Sequence, residues 1–241
     1  MKLQKIRLWK RGCWLAAGLM LTLLMSLLTG CNGENLEKAQ GEMMRNETTK
    51  PPAVCVLFDN SPSFQDYAES SLTEIKMVFQ VLARQYPDST VSLVLINEEP
   101  VNVFSGEAKR LDIAYQELSQ VVNGDRSHAS NLSAAVHNGS YFLQNADAGR
   151  RIMLIFSDMQ HTVPDYYPNG SPDGRVPVPE AFPWDDIKDM EVYAVHVSFN
   201  EWELWQQEIA KRNMGEHFRP LFPEQMKANH VVNVVFPKTE D

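Results

Sequence analysis

Cysteine is scarce in this 241-residue chain, with three residues at Cys13, Cys31 and Cys55. From residue 32 onward only Cys55 remains, so no disulfide can close within that stretch in any redox compartment. Stability must come from a packed core, and roughly 190 residues are enough to bury one. Bases are also few, with 22 Lys and Arg against 31 Asp and Glu. The first thirty residues hold five of those bases and no acid, which leaves 17 against 31 beyond them, a net −14. Such acidity argues against nucleic acid and anionic lipid headgroups as partners, because phosphate binding needs clustered positive charge. There is no Gly-x-Ser-x-Gly elbow, no phosphate-cradling glycine loop and no His-Glu-x-x-His, so the common signatures of these enzyme classes are missing. His137, His196, His217 and His230 lack metal-ligand spacing, and no internal repeat or low-complexity tract occurs.

The chain has a single long apolar run, Trp14–Leu28, and at fifteen residues it is short for a bilayer span. It follows an acid-free start carrying Lys2, Lys5, Arg7, Lys10 and Arg11, the layout of an export signal over residues 1–30. The run ends in Leu28-Thr29-Gly30-Cys31, which resembles the lipobox of bacterial lipoproteins. That resemblance implies cleavage before Cys31, a diacylglyceryl group on its sulfur, and a cell-envelope protein attached to the membrane by lipid alone. Asn32 stands where an aspartate would suggest inner-membrane retention, which favours the outer membrane in a two-membrane cell. The plainer alternatives are an uncleaved anchor helix or an ordinary signal peptide with an incidental cysteine. Residues 31–52 then read as a tether, polar and aperiodic until Pro51-Pro52. A random coil of its nineteen residues from Asn32 to Lys50 spans about 25 Å.

From 53 to 241 short apolar runs alternate with amphipathic stretches. Ala53–Phe58, Val91–Ile96, Arg151–Ser157 and Val192–Val197 are the continuous runs expected of strands buried on both faces. A Val101–Phe104 strand follows the Asn97–Pro100 turn as a hairpin. Leu72, Ile75, Phe79, Leu82 and Tyr86 recur at helical spacing, as do the apolar residues of 111–122 and 132–143. Glu201–Met214 reads as a helix with Trp202, Trp205 and Ile209 inward as packing residues, stopped by Gly215. The tail reads as a short strand near Phe218, a helix near Glu224–Asn229 and an edge strand at Val231–Phe236. Strands alternating with helices predict one α/β domain: a Rossmann-like, open, mostly parallel central sheet with helices on both faces. Residues 159–189 break the pattern with six prolines, two glycines and Tyr166-Tyr167. They predict a long irregular loop, either functional or a tolerated surface insertion.

The chemistry gathers where strands end. The first buried strand runs into Asp59-Asn60-Ser61-Pro62-Ser63, a carboxylate followed by hydroxyls two and four residues on. Ser130 precedes a predicted helix, and Asp158 follows the Arg151–Ser157 strand. In open parallel sheets the crevice lies beyond the carboxyl ends of strands at the point where strand order reverses. If the first strand and Arg151–Ser157 are neighbours there, two carboxylates and three hydroxyls meet as hard oxygen donors suited to Mg²⁺ or Mn²⁺. The plain reading of the first motif is an Asx turn capping the next helix.

The three pieces, in this order and on these elements, resemble the metal-ion-dependent adhesion site of von Willebrand factor type A domains, whose pattern is Asp-x-Ser-x-Ser, a later Thr and a later Asp. The resemblance covers about residues 53–230, and the ending Gly215-Glu216-His217-Phe218 is similar to the family's closing Gly-x-x-Phe/Tyr strand. It implies that Ser61, Ser63 and Ser130 bind the ion directly, and Asp59 and Asp158 largely through waters. A protein partner's acidic side chain would complete the coordination. His161, Tyr166 and Tyr167 would lie on the loop beside the ion and contact the partner, and His128 flanks the site as well. Three positions depart from the pattern: Ser130 replaces Thr, Pro62 sits between the serines, and Met159 follows Asp158 where Gly is usual. A side chain at 159 predicts a backbone that avoids positive φ.

This reading makes the chain a binding protein and not an enzyme. Two others compete with it. A metal-free structural or scaffolding domain of the envelope would need none of these oxygens. A haloacid-dehalogenase-like phosphatase also begins with an apolar strand ending in Asp, but it needs a second acid two residues on, and that position is Ser61.

Overall fold

The computed structural model describes residues 50–124, 126–162, 178–223 and 230–237. The expectations for residues 1–49, including Cys31, for Tyr166 and Tyr167, and for a helix at Glu224–Asn229 lie outside the described residues. Lys50–Asp241 form one compact unit.

Six strands make one sheet: β1 (Ala53–Asp59), β2 (Thr90–Ile96), β3 (Val101–Glu107), β4 (Arg151–Phe156), β5 (Glu191–Val195) and β6 (Phe218–Leu221). Their order is β3-β2-β1-β4-β5-β6, parallel throughout except for β3, which returns antiparallel beside β2. The predicted open α/β architecture is therefore the observed one. Strand order reverses between β1 and β4, the neighbours that the crevice argument requires, in a register that sets Phe58 opposite Phe156.

Six α-helices are described: α1 (Ala68–Gln85), α2 (Leu111–Val122), α3 (Leu132–Asn145), α4 (Trp184–Ile187), α5 (Phe199–Lys211) and α6 (His230–Val235). Side chains alternate across each strand, so the sheet feeds two cores. Val54, Val56 and Phe58 of β1 pack with Ile75, Phe79 and Leu82 of α1 and with residues of α2 and α6. Cys55 and Leu57 face the other way, toward α3, α4 and α5. Cys55 is fully buried, and burial pushes its thiol up to about 12. That agrees with an inert thiol.

Three local expectations are corrected. Val231–Phe236 does not form an edge strand: His230–Val235 is helical, with Val231 and Val235 buried against α1 and the core. A short apolar run carries no period that separates strand from helix. The helix before β6 is ended by Asn213, which takes the left-handed conformation at φ 56, and not by Gly215. The proline-rich segment closes with the α4 turn, whose Trp184 and Ile187 join the core.

Helix α3 crosses β1 at Gly139. A Cβ there would lie 2.9 Å from Cys55 Sγ and 3.2 Å from both Leu57 Cδ2 and Met153 Cε. Alanine in an exposed helix gains about 1 kcal/mol over glycine, but overpacking a filled core costs about 1–3 kcal/mol. Gly139→Ala is therefore expected to lower the melting temperature. A rise on thermal denaturation would show that the sheet yields freely at this crossing.

Candidate metal centre

Asp59 ends β1 and is fully buried. Its Oδ1 accepts the Ser61 backbone N–H at 2.9 Å and the Ser130 hydroxyl at 3.0 Å. Its Oδ2 accepts the Ser157 hydroxyl at 2.7 Å. The Asx turn expected of the motif is present in the first of these bonds, but it caps nothing. Ser61 occupies the N-cap position of the 3-10 turn Pro62–Tyr67 without a side-chain cap bond, and Pro62 opens that turn. Released from capping, Ser61 Oγ lies 3.0 Å from Ser63 Oγ.

Ser130 reaches the same carboxylate because its neighbour does the capping. Asn131 accepts the Ala134 N–H at the start of α3, which leaves the Ser130 hydroxyl for Asp59. Asp158, just past β4, accepts the Gln160 N–H at 3.1 Å and is hydrogen-bonded by Ser63. All five residues that the sequence singled out thus converge on the crevice between β1 and β4. His161 is nearly buried, and burial lowers its affinity for protons; His128 is exposed on the loop before Ser130.

Two members of the network were not anticipated. Ser157 donates to Asp59 and also accepts the Met159 N–H at 2.9 Å. Its signal was visible, a lone hydroxyl directly after the apolar run Ile152–Phe156. Thr162 accepts the Ser130 N–H at its Oγ1 and donates its own N–H to the Ser130 carbonyl, both at 3.0 Å. This pairing spans 32 residues, and nothing local announces it. One expectation is overturned: Met159 stands at φ 66, in the left-handed region that costs a residue with a side chain roughly 1–2 kcal/mol.

The electrostatics follow from burial. Desolvation raises Asp59, against the pull of its hydrogen bonds from Ser157, Ser61 and Ser130. Asp158 is pushed up to about 6, first by burial and then by the Asp59 charge. No described Lys or Arg forms an ion pair with either carboxylate. Two adjacent buried carboxylates without a basic partner, beside the hydroxyls of Ser61, Ser63, Ser130 and Ser157, fit a hard divalent cation, which would supply the charge the pair lacks. Among the described residues no group of three or more His, Cys, Asp or Glu could hold a metal ion, so a cation here would depend on the hydroxyls.

The turn bearing Ser63 rests on His196, a second positive-φ residue at the end of β5. Its ring stacks on Tyr67 at 5.2 Å and lies 6.2 Å from Phe64.

This sheet order, with the crevice beyond β1 and β4, is the fold of von Willebrand factor type A domains. The vWF domain of the type V pili tip protein Mfa5 from Porphyromonas gingivalis matches with a TM-score of 0.55 at 11% identity, over 80% of this chain and 99% of that one. The SpRpn10 VWA domain matches with a TM-score of 0.53 at 14% identity, over 76% and 95%. The pilus adhesin SpaC from Lactobacillus rhamnosus GG matches with a TM-score of 0.51 at 13% identity, over 71% of this chain but only 28% of SpaC. At these identities the likeness is one of fold. No protein-family profile matches the chain, and no curated protein sequence matches it.

Burial lowers the His196 imidazole from 6.5 to about 4. Between those values the unfolded chain binds a proton that the folded one refuses, so this residue's contribution falls as pH drops from 6.5 to 4. The full loss is roughly 3 kcal/mol at 1.36 kcal/mol per unit. His196→Asn tolerates the left-handed backbone and does not titrate, so its melting temperature should fall less than the native one between pH 7 and pH 4.5. Parallel pH profiles would remove His196 as the cause.

Proposed function

We propose that this domain binds a protein partner through a divalent cation, Mg²⁺ or Mn²⁺, at the crevice between β1 and β4. Ser61, Ser63 and Ser130 would hold the ion directly, with Asp59 and Asp158 acting largely through waters. So few charged ligands leave the ion electrophilic, and a carboxylate of the partner would take the open position. The observation that carries this reading is the meeting of two buried, unpaired carboxylates with three hydroxyls at the switch point of the sheet. Similarity of fold to a pilus tip domain and a pilus adhesin supports a binding role over catalysis. The absence of an acid two residues after Asp59 weighs against a phosphatase.

Calorimetry with Mg²⁺ and Mn²⁺ tests the site directly. Asp158→Ala should abolish binding. Ser61→Ala/Ser63→Ala should weaken it by no less than the roughly 10–100-fold that losing an outer hydrogen-bond partner of a metal ligand costs. Equal binding in the variants, or none in any protein, would leave a metal-free scaffold. The hydrogen bonds already made by Asp59, Ser61, Ser63 and Ser130 favour that second reading, because they occupy those oxygens without an ion.

The Leu28–Cys31 motif supports a lipid anchor on Cys31 and a place in the cell envelope, in the outer membrane of a two-membrane cell. The nineteen-residue tether would let the ion-bearing edge turn toward a partner. Labelling with a fatty-acid analogue should tag the native chain and not Cys31→Ser, which should also leave the membrane fraction. A labelled Cys31→Ser protein would sink the anchor.

A further inference from the structure

Met159 adopts a glycine's backbone conformation beside a candidate ligand, and the structure shows what holds it there. Its N–H is bonded to Ser157 Oγ. Its carbonyl accepts a hydrogen bond at 3.1 Å from the indole Nε1 of Trp205, which lies on α5, 46 residues away. Trp205 is 1% exposed and cannot drift. Phe182 meets its ring edge-on at 4.8 Å, Trp184 lies at 5.9 Å and Phe218 stacks at 6.2 Å. Indole nitrogen only donates, so the polarity of the bond is fixed.

The consequence for Asp158 comes from peptide planarity. The Met159 carbonyl and the Gln160 N–H belong to one rigid trans unit and point in opposite directions. Trp205 grips one edge of that plane, and the other edge donates to Asp158 Oδ1 at 3.1 Å. A flip of this peptide would break both bonds together.

We propose that Trp205 is a positioning residue for Asp158: its indole N–H locks the Met159–Gln160 peptide, and the locked peptide orients the Asp158 carboxylate toward Ser63. Trp205 therefore does more than pack the core. The claim about the turn stands on geometry, and only its effect on the ion rests on the cation reading above.

Hydrogen-exchange mass spectrometry and Mn²⁺ titration of the full chain separate these two layers. Trp205→Phe removes the N–H, and β-(3-benzothienyl)alanine at position 205 removes it while filling the same space, should the phenylalanine variant fold poorly. Both should speed exchange in peptides covering Ser157–Thr162 while those of β1 and β2 keep their protection. Mn²⁺ affinity should drop about tenfold, the size of one net buried hydrogen bond. Unchanged exchange at Ser157–Thr162, or faster exchange spread evenly through the core, would overturn the proposal. If the native chain binds no Mn²⁺ while the exchange pattern follows expectation, the cation reading fails and the positioning role survives.

Discussion

The pairing of β1 with β4 is the constraint from which the site follows. Six consecutive register pairs, from Ala53↔Arg151 to Phe58↔Phe156, align the two strands so that both run out at the same edge of the sheet. Asp59 and Asp158 are then neighbours whether or not their charges agree. Burial on both faces removes the water that would separate them, and no described basic side chain enters. The hydroxyls of Ser61, Ser63, Ser130 and Ser157 are the response of the surrounding chain to that placement. They come from three local devices: a 3-10 turn opened by Pro62 for Ser61 and Ser63, a helix capped by the next residue for Ser130, and the position just past a strand for Ser157.

How much of this is legible in the sequence depends on range. The strands are legible because burial on both faces leaves continuous apolar runs, and Ala53–Phe58 can be little else. The motif from Asp59 to Ser63 is legible because its geometry is local, with alternate residues of one turn meeting at one spot. Ser130 and Asp158 become legible only once topology places them. Misreadings arise where a distant partner decides. Val231–Phe236 looks like a strand until α1 offers it a helical docking face. Met159 looks forbidden to positive φ because the indole that holds it lies on another element. Thr162 gives no sign at all, since its partner Ser130 is 32 residues earlier.

Strain and unpaired charge fall on the same rim of the molecule. Of the described non-glycine residues at positive φ, Met159 and His196 follow β4 and β5, adjacent strands ending at the crevice edge. Asn213, the remaining one, closes a helix and is of a type that tolerates the conformation. Strained backbone persists only where surrounding structure over-determines it. Both rim residues meet that condition, Met159 through Ser157 and Trp205, and His196 through Phe64, Tyr67 and a backbone bond to Leu221. A fold under pressure for stability alone would place glycine at 159 and an apolar residue in place of one carboxylate. Keeping neither economy, this chain concentrates its least stable features where a ligand could repay them.

The aromatic cluster around Trp205 gives that concentration a mechanical footing. Phe182 and Trp184 come from the end of the proline-rich segment, Phe218 from β6, and Trp205 itself from α5. Elements far apart in sequence therefore converge behind one peptide plane, and that plane carries a single hydrogen bond forward to Asp158. Any displacement of α5 that withdraws the indole by about an ångström would break a 3.1 Å bond. The Asp158 orientation would change before the core lost appreciable contact, because dispersion is spread over many atoms while the hydrogen bond is one. The carboxylate is thus more sensitive to the placement of α5 than the stability of the domain is.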